Sequence, residues 1–276
     1  MRKRRVSGRL PAQTILILAC IIAVFPLLWI ALASFKTEVD ASSPATRAFD
    51  FSPTLSNYGS LFHSPTFIAD AITTVVTTVG TTLLCVLVGT LAAYAFARLR
   101  VTGRRLIVTM MVLVQVVPSI VLLIPLYKIA SAVGLYDQWI TIIVIQAGLL
   151  TPFVTWLMLA FFRALPVEVE EAARVDGANR FQMFRYVLIP MLTPGMVAAA
   201  IFTAISAWNS YLVPVILGQS QAQTLTAFTS TFITTDRLVW SQMCAAAVLI
   251  AGPIVVFTLI LQRPLVRGIM AGTLKG

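Results

Sequence analysis

Pro166, Val167, Glu168, Val169, Glu170, Glu171, Ala172, Ala173, Arg174, Val175, Asp176 and Gly177, running on to Val187, Leu188, Ile189 and Pro190, form a charged island between two apolar runs. Four carboxylates fall within nine residues, in a chain whose charged fraction is 11% and whose mean hydropathy is +0.92. The island belongs in water and its flanks belong in oil. A soluble partner is therefore expected to meet the chain here.

Apolar residues fill 59% of the 276 positions and gather into blocks close to the ~20 residues that cross a bilayer as a helix. Six spans are expected: Thr14 to Ser34, Phe67 to Phe96, Leu106 to Ile129, Trp139 to Phe162, Gly195 to Leu217 and Ser241 to Leu261. A lipid core satisfies no backbone hydrogen bond, and the blocks lack the alternation of a barrel, so the fold class is all-α and polytopic. Residues 1–13 and 263–276 read as tails, 14–262 as the membrane domain, and 163–190 as a cytoplasmic segment within it. The first span follows a basic start, as a signal peptide does. Its length, Pro26, Trp29 and the lack of a small-x-small site favour a retained helix.

The net charge of +10 would suit a nucleic-acid binder, but its distribution points elsewhere. Arg2, Lys3, Arg4, Arg5 and Arg9 precede the first span, and Arg98, Arg100, Arg104 and Arg105 follow the second. Arg163, Arg174, Arg180 and Arg185 follow the fourth, and Arg263, Arg267 and Lys275 end the chain. All of these fall on one side of a six-span topology, whereas Lys36, Arg47, Lys128 and Arg237 fall on the other. The positive-inside rule then places both termini and the acidic island in the cytoplasm of a cell (plasma or inner) membrane protein.

Little in the spans is ionisable; Asp70 sits near enough to a span end to reach the interface. A carrier driven by protons or sodium usually buries acidic or His ligands along its path. Here the interior polar groups are neutral instead: Gln115, Gln146, Thr151, Thr155, Ser206, Trp208, Asn209, Ser210 and Tyr211. Such groups suit a neutral hydroxylated solute, and they also suit plain helix packing. Of them, Gln115, Trp208, Asn209 and Tyr211 are the candidates for a substrate path. Pro118, Pro125, Pro152, Pro214 and Pro253 interrupt spans, each bending its helix or marking a cavity. His63 is the single His and lies in an external loop, while Cys20, Cys85 and Cys244 lie within spans. No metal site and no catalytic residue is expected from these.

Within the island, Pro166 suits a first helical turn, and Glu168, Glu170 and Glu171 then sit at the positive end of the dipole. Gly177 stops a helix of about three turns. Asn179 and Gln182 have the spacing of a capping box, opening a second helix that Pro190 is expected to terminate. A DNA-reading helix-turn-helix does not fit an acidic helix between membrane spans, and a bilayer-lying helix would carry Lys and Arg.

The run Glu171, Ala172, Ala173, then Gly177, then Val187, Ile189 and Pro190 resembles the EAA motif of membrane subunits from binding-protein-dependent ABC importers. The carbohydrate branch, with its smaller maltose-type permease, is also similar at Pro118 to Tyr127, Gly134 to Tyr136, Trp208, Asn209, Pro214 and Gly272 to Gly276. Two departures stand out: Ser210 where Asp or Glu is common, and the absence of Asn and Ser near Ala71.

The resemblance implies a type I importer permease fold of six transmembrane helices, in which the island is a coupling helix docked on an ATPase. Glu170, Glu171, Ala172, Ala173, Asp176, Gly177 and Pro190 would be its coupling residues. It implies further partners: a homologous second permease, two ATP-binding cassette subunits and an extracytoplasmic sugar-binding protein. ATP and Mg would be bound by the cassette subunits, since this chain has no G-x-x-x-x-G-K-[ST] loop. The implied substrate is a sugar, for instance the neutral disaccharides trehalose or maltose. A gradient-driven carrier or facilitator of polar solutes is the alternative, and a membrane enzyme a more distant one.

Overall fold

A computed structural model describes residues 9–43, 49–233 and 238–273, with side chains for 13–43, 49–233 and 238–259. Residues 1–8, with Arg47, Arg237 and Lys275, lie outside this description, as do the side chains from 260 onward, so the charge asymmetry read there is not visible in the fold.

The described chain is almost wholly helical. In order the helices are α1 (Arg9–Ala33), α2 (Glu38–Ala41), α3 (Ser56–Phe62), α4 (Pro65–Arg98), α5 (Arg104–Val114), α6 (Ser119–Ala132) and α7 (Trp139–Ala164). There follow α8 (Glu168–Val175), α9 (Arg180–Met183), a π-helical turn (Phe184–Leu188), α10 (Ile189–Trp208), α11 (Leu212–Leu217), α12 (Leu225–Phe228) and α13 (Trp240–Thr273). Among the described residues five helices are long and apolar enough to span a bilayer, or six if α5 and α6, bent by 98° at their break, are counted together as one span.

That bend falls at Pro118, one of the prolines expected to interrupt a span, within the run read as Leu106 to Ile129. α5 ends at Val114 with Gln115 as its C-cap, and Pro118 caps α6 in an extended conformation (φ −55°, ψ 124°). Proline has no N–H to continue the ladder and pushes its predecessor out of the helical region, so the chain turns there. The fifth span differs from the expected Gly195 to Leu217. It runs from Arg180 to Trp208, and α11 is a separate short helix. Pro190 does not terminate the second helix of the island. The π turn hands Ile189 N to Phe184 O, and Pro190 then falls in the first turn of α10, where a missing N–H costs little.

The chain forms two compact units: one draws on residues up to Phe67 and on Thr229–Pro253, the other on Ile68–Phe228 and the residues from Ile254 onward. In the first, the segment between α1 and α4 is held by polar contacts around the two short helices α2 and α3. Asn57 Nδ2 donates to Ser34 O (2.9 Å) and Lys36 O (2.8 Å), and the Lys36 ammonium lies over Phe51 at 4.8 Å. Glu38 accepts from Trp240 N, Ser241 N and the Ser241 hydroxyl. Burial works to raise the Glu38 pKa, but these hydrogen bonds and one from Ser42 outweigh it and hold it below the usual range.

In the second unit α7 is the hub, packed against α5, α6, α10 and α11. Its Val154, Met158, Leu159 and Phe162 are buried with Cys85 and Ala93 of α4, Leu188 of the π turn, and Leu192 and Ala199 of α10. In lipid the hydrophobic effect does not draw helices together, so association rests on close packing and on small residues that let backbones approach. Gly89 does this: a Cβ there would stand 2.6 Å from Val154 Cγ1 and 3.3 Å from Thr155 N. Asp70, expected to reach the interface, is instead only 2% exposed, and its Oδ2 has no partner. It lies one turn into α4, which the packing of that helix turns inward.

Candidate coupling segment and polar cavity

The island is a helix, a turn and a returning helix. α8 has two turns rather than three, with Glu168, Glu170 and Glu171 in its first turn and Arg174 in its last. Negative charge at the N-terminus and positive charge at the C-terminus both complement the helix dipole. The helix ends in a reversal at Gly177 (φ +84°), where Ala178 N reaches back to Ala173 O at 3.0 Å. A residue with a Cβ is strained at that φ, which explains the glycine. The capping box is complete: Gln182 N donates to Asn179 Oδ1 and Asn179 N to Gln182 Oε1, both at 2.9 Å.

α8 has two dissimilar faces. Glu170 and Ala173 point into the chain and are buried, while Glu171, Ala172, Val175 and Asp176 are exposed. Ala173 packs with Phe162, Met183 and Leu188, so its small size serves the chain's own core. Glu170 takes a hydrogen bond and ion pair from Arg98 Nε, and Arg98 Nη2 donates to Leu165 O at 2.9 Å. The end of α4, the end of α7 and the island are thereby joined through one side chain. Sequence reasoning grouped Arg98 with the topogenic charges. The signal that could have found it is the pairing of an inward-facing Glu at the start of a short helix with the nearest preceding Arg at a span end.

The break between α5 and α6 opens a cavity of about 520 Å³, within the range of ~300–1,000 Å³ usual for small-ligand sites. Its polar lining is Gln115, Ser119, Gln146, Ser206, Ser210 and Tyr211, with apolar side chains between them and no Asp, Glu, His, Lys or Arg. Gln115 Nε2 donates to Leu149 O at 2.7 Å, bridging the break to α7. Gln146 is 2% exposed; its Oε1 accepts from Thr81 Oγ1 at 3.1 Å and its Nε2 has no partner. Leaving such a buried donor unpaired costs about 1–3 kcal/mol. Of the four residues expected on a substrate path, Gln115 and Tyr211 line the cavity. Trp208 and Asn209 are the last residue and the C-cap of α10 and stand outside the lining; Asn209 Nδ2 donates to Ile205 O at 2.9 Å. Among the described residues no group of three or more His, Cys, Asp or Glu could hold a metal ion.

Helices of spanning length with a short, dipole-matched helix between α7 and α10 suit a membrane subunit that meets a soluble partner. The chain belongs to the family of binding-protein-dependent transport system inner membrane components, whose model matches residues 85–270. It is 36% identical over 265 residues to the trehalose transport system permease protein SugB of Mycobacterium tuberculosis, covering 92% of this chain and 93% of that protein. It is 30% identical over 275 residues to the diacetylchitobiose uptake system permease protein DasC of Streptomyces coelicolor, covering 99% of this chain and all of that one. In fold it matches a chain of a bacterial ABC transporter involved in the import of alginate, with a TM-score of 0.79 and 21% identity over 95% of this chain and 99% of the other. The fold is thus that of a type I ABC importer permease, a multi-pass, non-catalytic membrane subunit, and membership of this family sets aside the carrier and enzyme readings.

Proposed function

We propose that this chain is one half of the translocation path of an ATP-driven importer for a neutral di- or oligosaccharide, such as trehalose or maltose. The observation that carries this reading is the cavity at the α5–α6 break, whose polar lining is hydroxyl, carboxamide and phenol without a fixed charge. A sugar ring offers many hydroxyls and no ion, so neutral donors and acceptors match it. Relatives that carry trehalose and diacetylchitobiose in their names point to the same class. Gln115 and Tyr211 would border the sugar's passage, with Trp208 and Asn209 at its edge.

The second half is a homologous permease. Two ATPase subunits, which bind ATP and Mg, lie on the cytoplasmic side with both termini of this chain, and a sugar-binding protein docks outside. The exposed face of α8, with Glu171, Ala172 and Asp176, enters the ATPase groove. Glu170, Ala173, Gly177 and Pro190 hold that face in position. ATP-driven closure of the ATPases then moves α8 as a lever and switches the spans between inward-open and outward-open states.

The test is purification of the tagged chain in mild detergent, followed by assay of ATP hydrolysis with candidate sugars and their binding protein. Recovery of an ATPase and a second permease, with hydrolysis stimulated by a sugar, is the expected result. Recovery of the chain alone, with uptake that persists without ATP, would overturn it.

A further inference from the structure

We infer that this chain carries its own hydroxyl-reading subsite, in which the carboxamide of Gln146, oriented by Thr81, donates a hydrogen bond to one sugar oxygen. The inference rests on the proposed sugar importer and adds the residue that discriminates among its substrates.

Gln146 is the one lining residue of the cavity that combines burial with an unmet hydrogen-bonding group: 2% exposed, Oε1 engaged by Thr81 Oγ1, and Nε2 without an acceptor. Were the amide turned over, Nε2 would serve Thr81 and Oε1 would be left over, so one end is unmet in either orientation. A packing glutamine deep between helices would be expected to use both ends, because in lipid no solvent serves the second. Gln115 is exposed and acts in part as a strut, with its Nε2 on Leu149 O. Ser206 and Ser210 line the same cavity and bring further hydroxyls to the site. The lining holds no carboxylate, guanidinium or ammonium, so the chemistry recognised is a neutral polyol ring and not an anionic one.

Thr81 is a positioning residue. Its hydroxyl engages one end of the amide and so leaves the other end to the solute, much as an outer hydrogen bond orients a ligand side chain elsewhere.

The experiment uses the whole transporter with its binding protein in proteoliposomes, offered trehalose, maltotriose and N,N′-diacetylchitobiose in turn. The sugar that the wild type carries with ATP is then offered as its series of monodeoxy analogues to the wild type, Gln146→Leu and Thr81→Val. One deoxy position is expected to lower wild-type uptake efficiency about tenfold and to produce no such drop in Gln146→Leu, with Thr81→Val in between. Discrimination by the binding protein is common to all three permeases and divides out of the comparison. A structural role alone would lower uptake of every analogue by the same factor. Identical deoxy profiles in the three permeases would overturn the inference while leaving the importer in place. A wild type that carries none of the three sugars with ATP would instead overturn the sugar reading, and this subsite with it. If Gln146→Leu fails to assemble with its partners, the isosteric Gln146→Met and Thr81→Val give the same comparison.

Discussion

Arg98, the last residue of α4, and Glu170, in the first turn of α8, form a buried ion pair, and the same guanidinium holds Leu165 O at the end of α7. The two side chains are 12% and 2% exposed. The island is thus fastened to two spanning helices and does not swing as a free loop.

Removing one partner of a buried pair leaves the other charge uncompensated, a cost of about 3–5 kcal/mol. Glu170→Ala and Arg98→Ala are each expected to lower the thermal midpoint of the assembled transporter and to raise the ATP consumed per sugar imported. The exchange of both residues, Arg98→Glu with Glu170→Arg, is expected to recover part of the loss. Wild-type coupling in both single variants would show that the joint is not needed.

Glu171 is exposed one residue further along, so Glu171→Ala is expected to leave stability within about 0.5 kcal/mol while uncoupling uptake from hydrolysis. Measurement of thermal midpoint and coupling on the same preparation separates this outcome from that of Glu170→Ala. Normal uptake in Glu171→Ala would count against the proposed docking face.

Gly89 meets α7 where no side chain fits. Gly89→Val would press against Val154 and the backbone at Thr155, and overpacking of this kind costs about 1–3 kcal/mol. A lowered thermal midpoint is expected. Val154→Ala in the same chain should relieve it in part, since Val154 Cγ1 is the nearest atom.

Asp137 sits between α6 and α7 with φ +57°, and its carboxylate accepts from the backbone amides of Gln219, Ser220, Gln221 and Ala222 and from the Ser220 hydroxyl. Burial works to raise its pKa, but these donors outweigh it and hold it below the usual carboxylate range. A depressed folded-state pKa contributes stability that is present above the unfolded-state value and is lost as pH falls through the folded one. Amide exchange at 219–222, corrected for its intrinsic pH dependence, is expected to be slow at neutral pH and to quicken only below the ordinary range of Asp. In Asp137→Asn the quickening is expected at every pH. Flat protection across that range in the wild type would contradict the assignment.

Much of this architecture could be read from residue order alone, because its causes are local. Twenty-residue apolar blocks must become helices in lipid, and the spacing of Asn179 and Gln182 is a capping box whether or not anything surrounds it. Gly177 likewise announced its turn. One misreading came at Pro190. Pro118 interrupts its span as expected, by 98°, whereas Pro190 is absorbed because a π turn precedes it, and no local signal separates the two.

Composition and spacing were enough for the polytopic helical class, the site of the island and the family it resembles, since these follow from the length of apolar runs and from short-range backbone geometry. Which face of each helix turned inward was not. Arg98 found Glu170 across 72 residues, Thr81 found Gln146 across 65, and Asp70 was drawn inside, through packing between helices distant in the chain. The cavity exists for the same reason: its walls come from α5, α6, α7, α10 and α11, and it forms only where a broken helix leaves space that its neighbours do not fill.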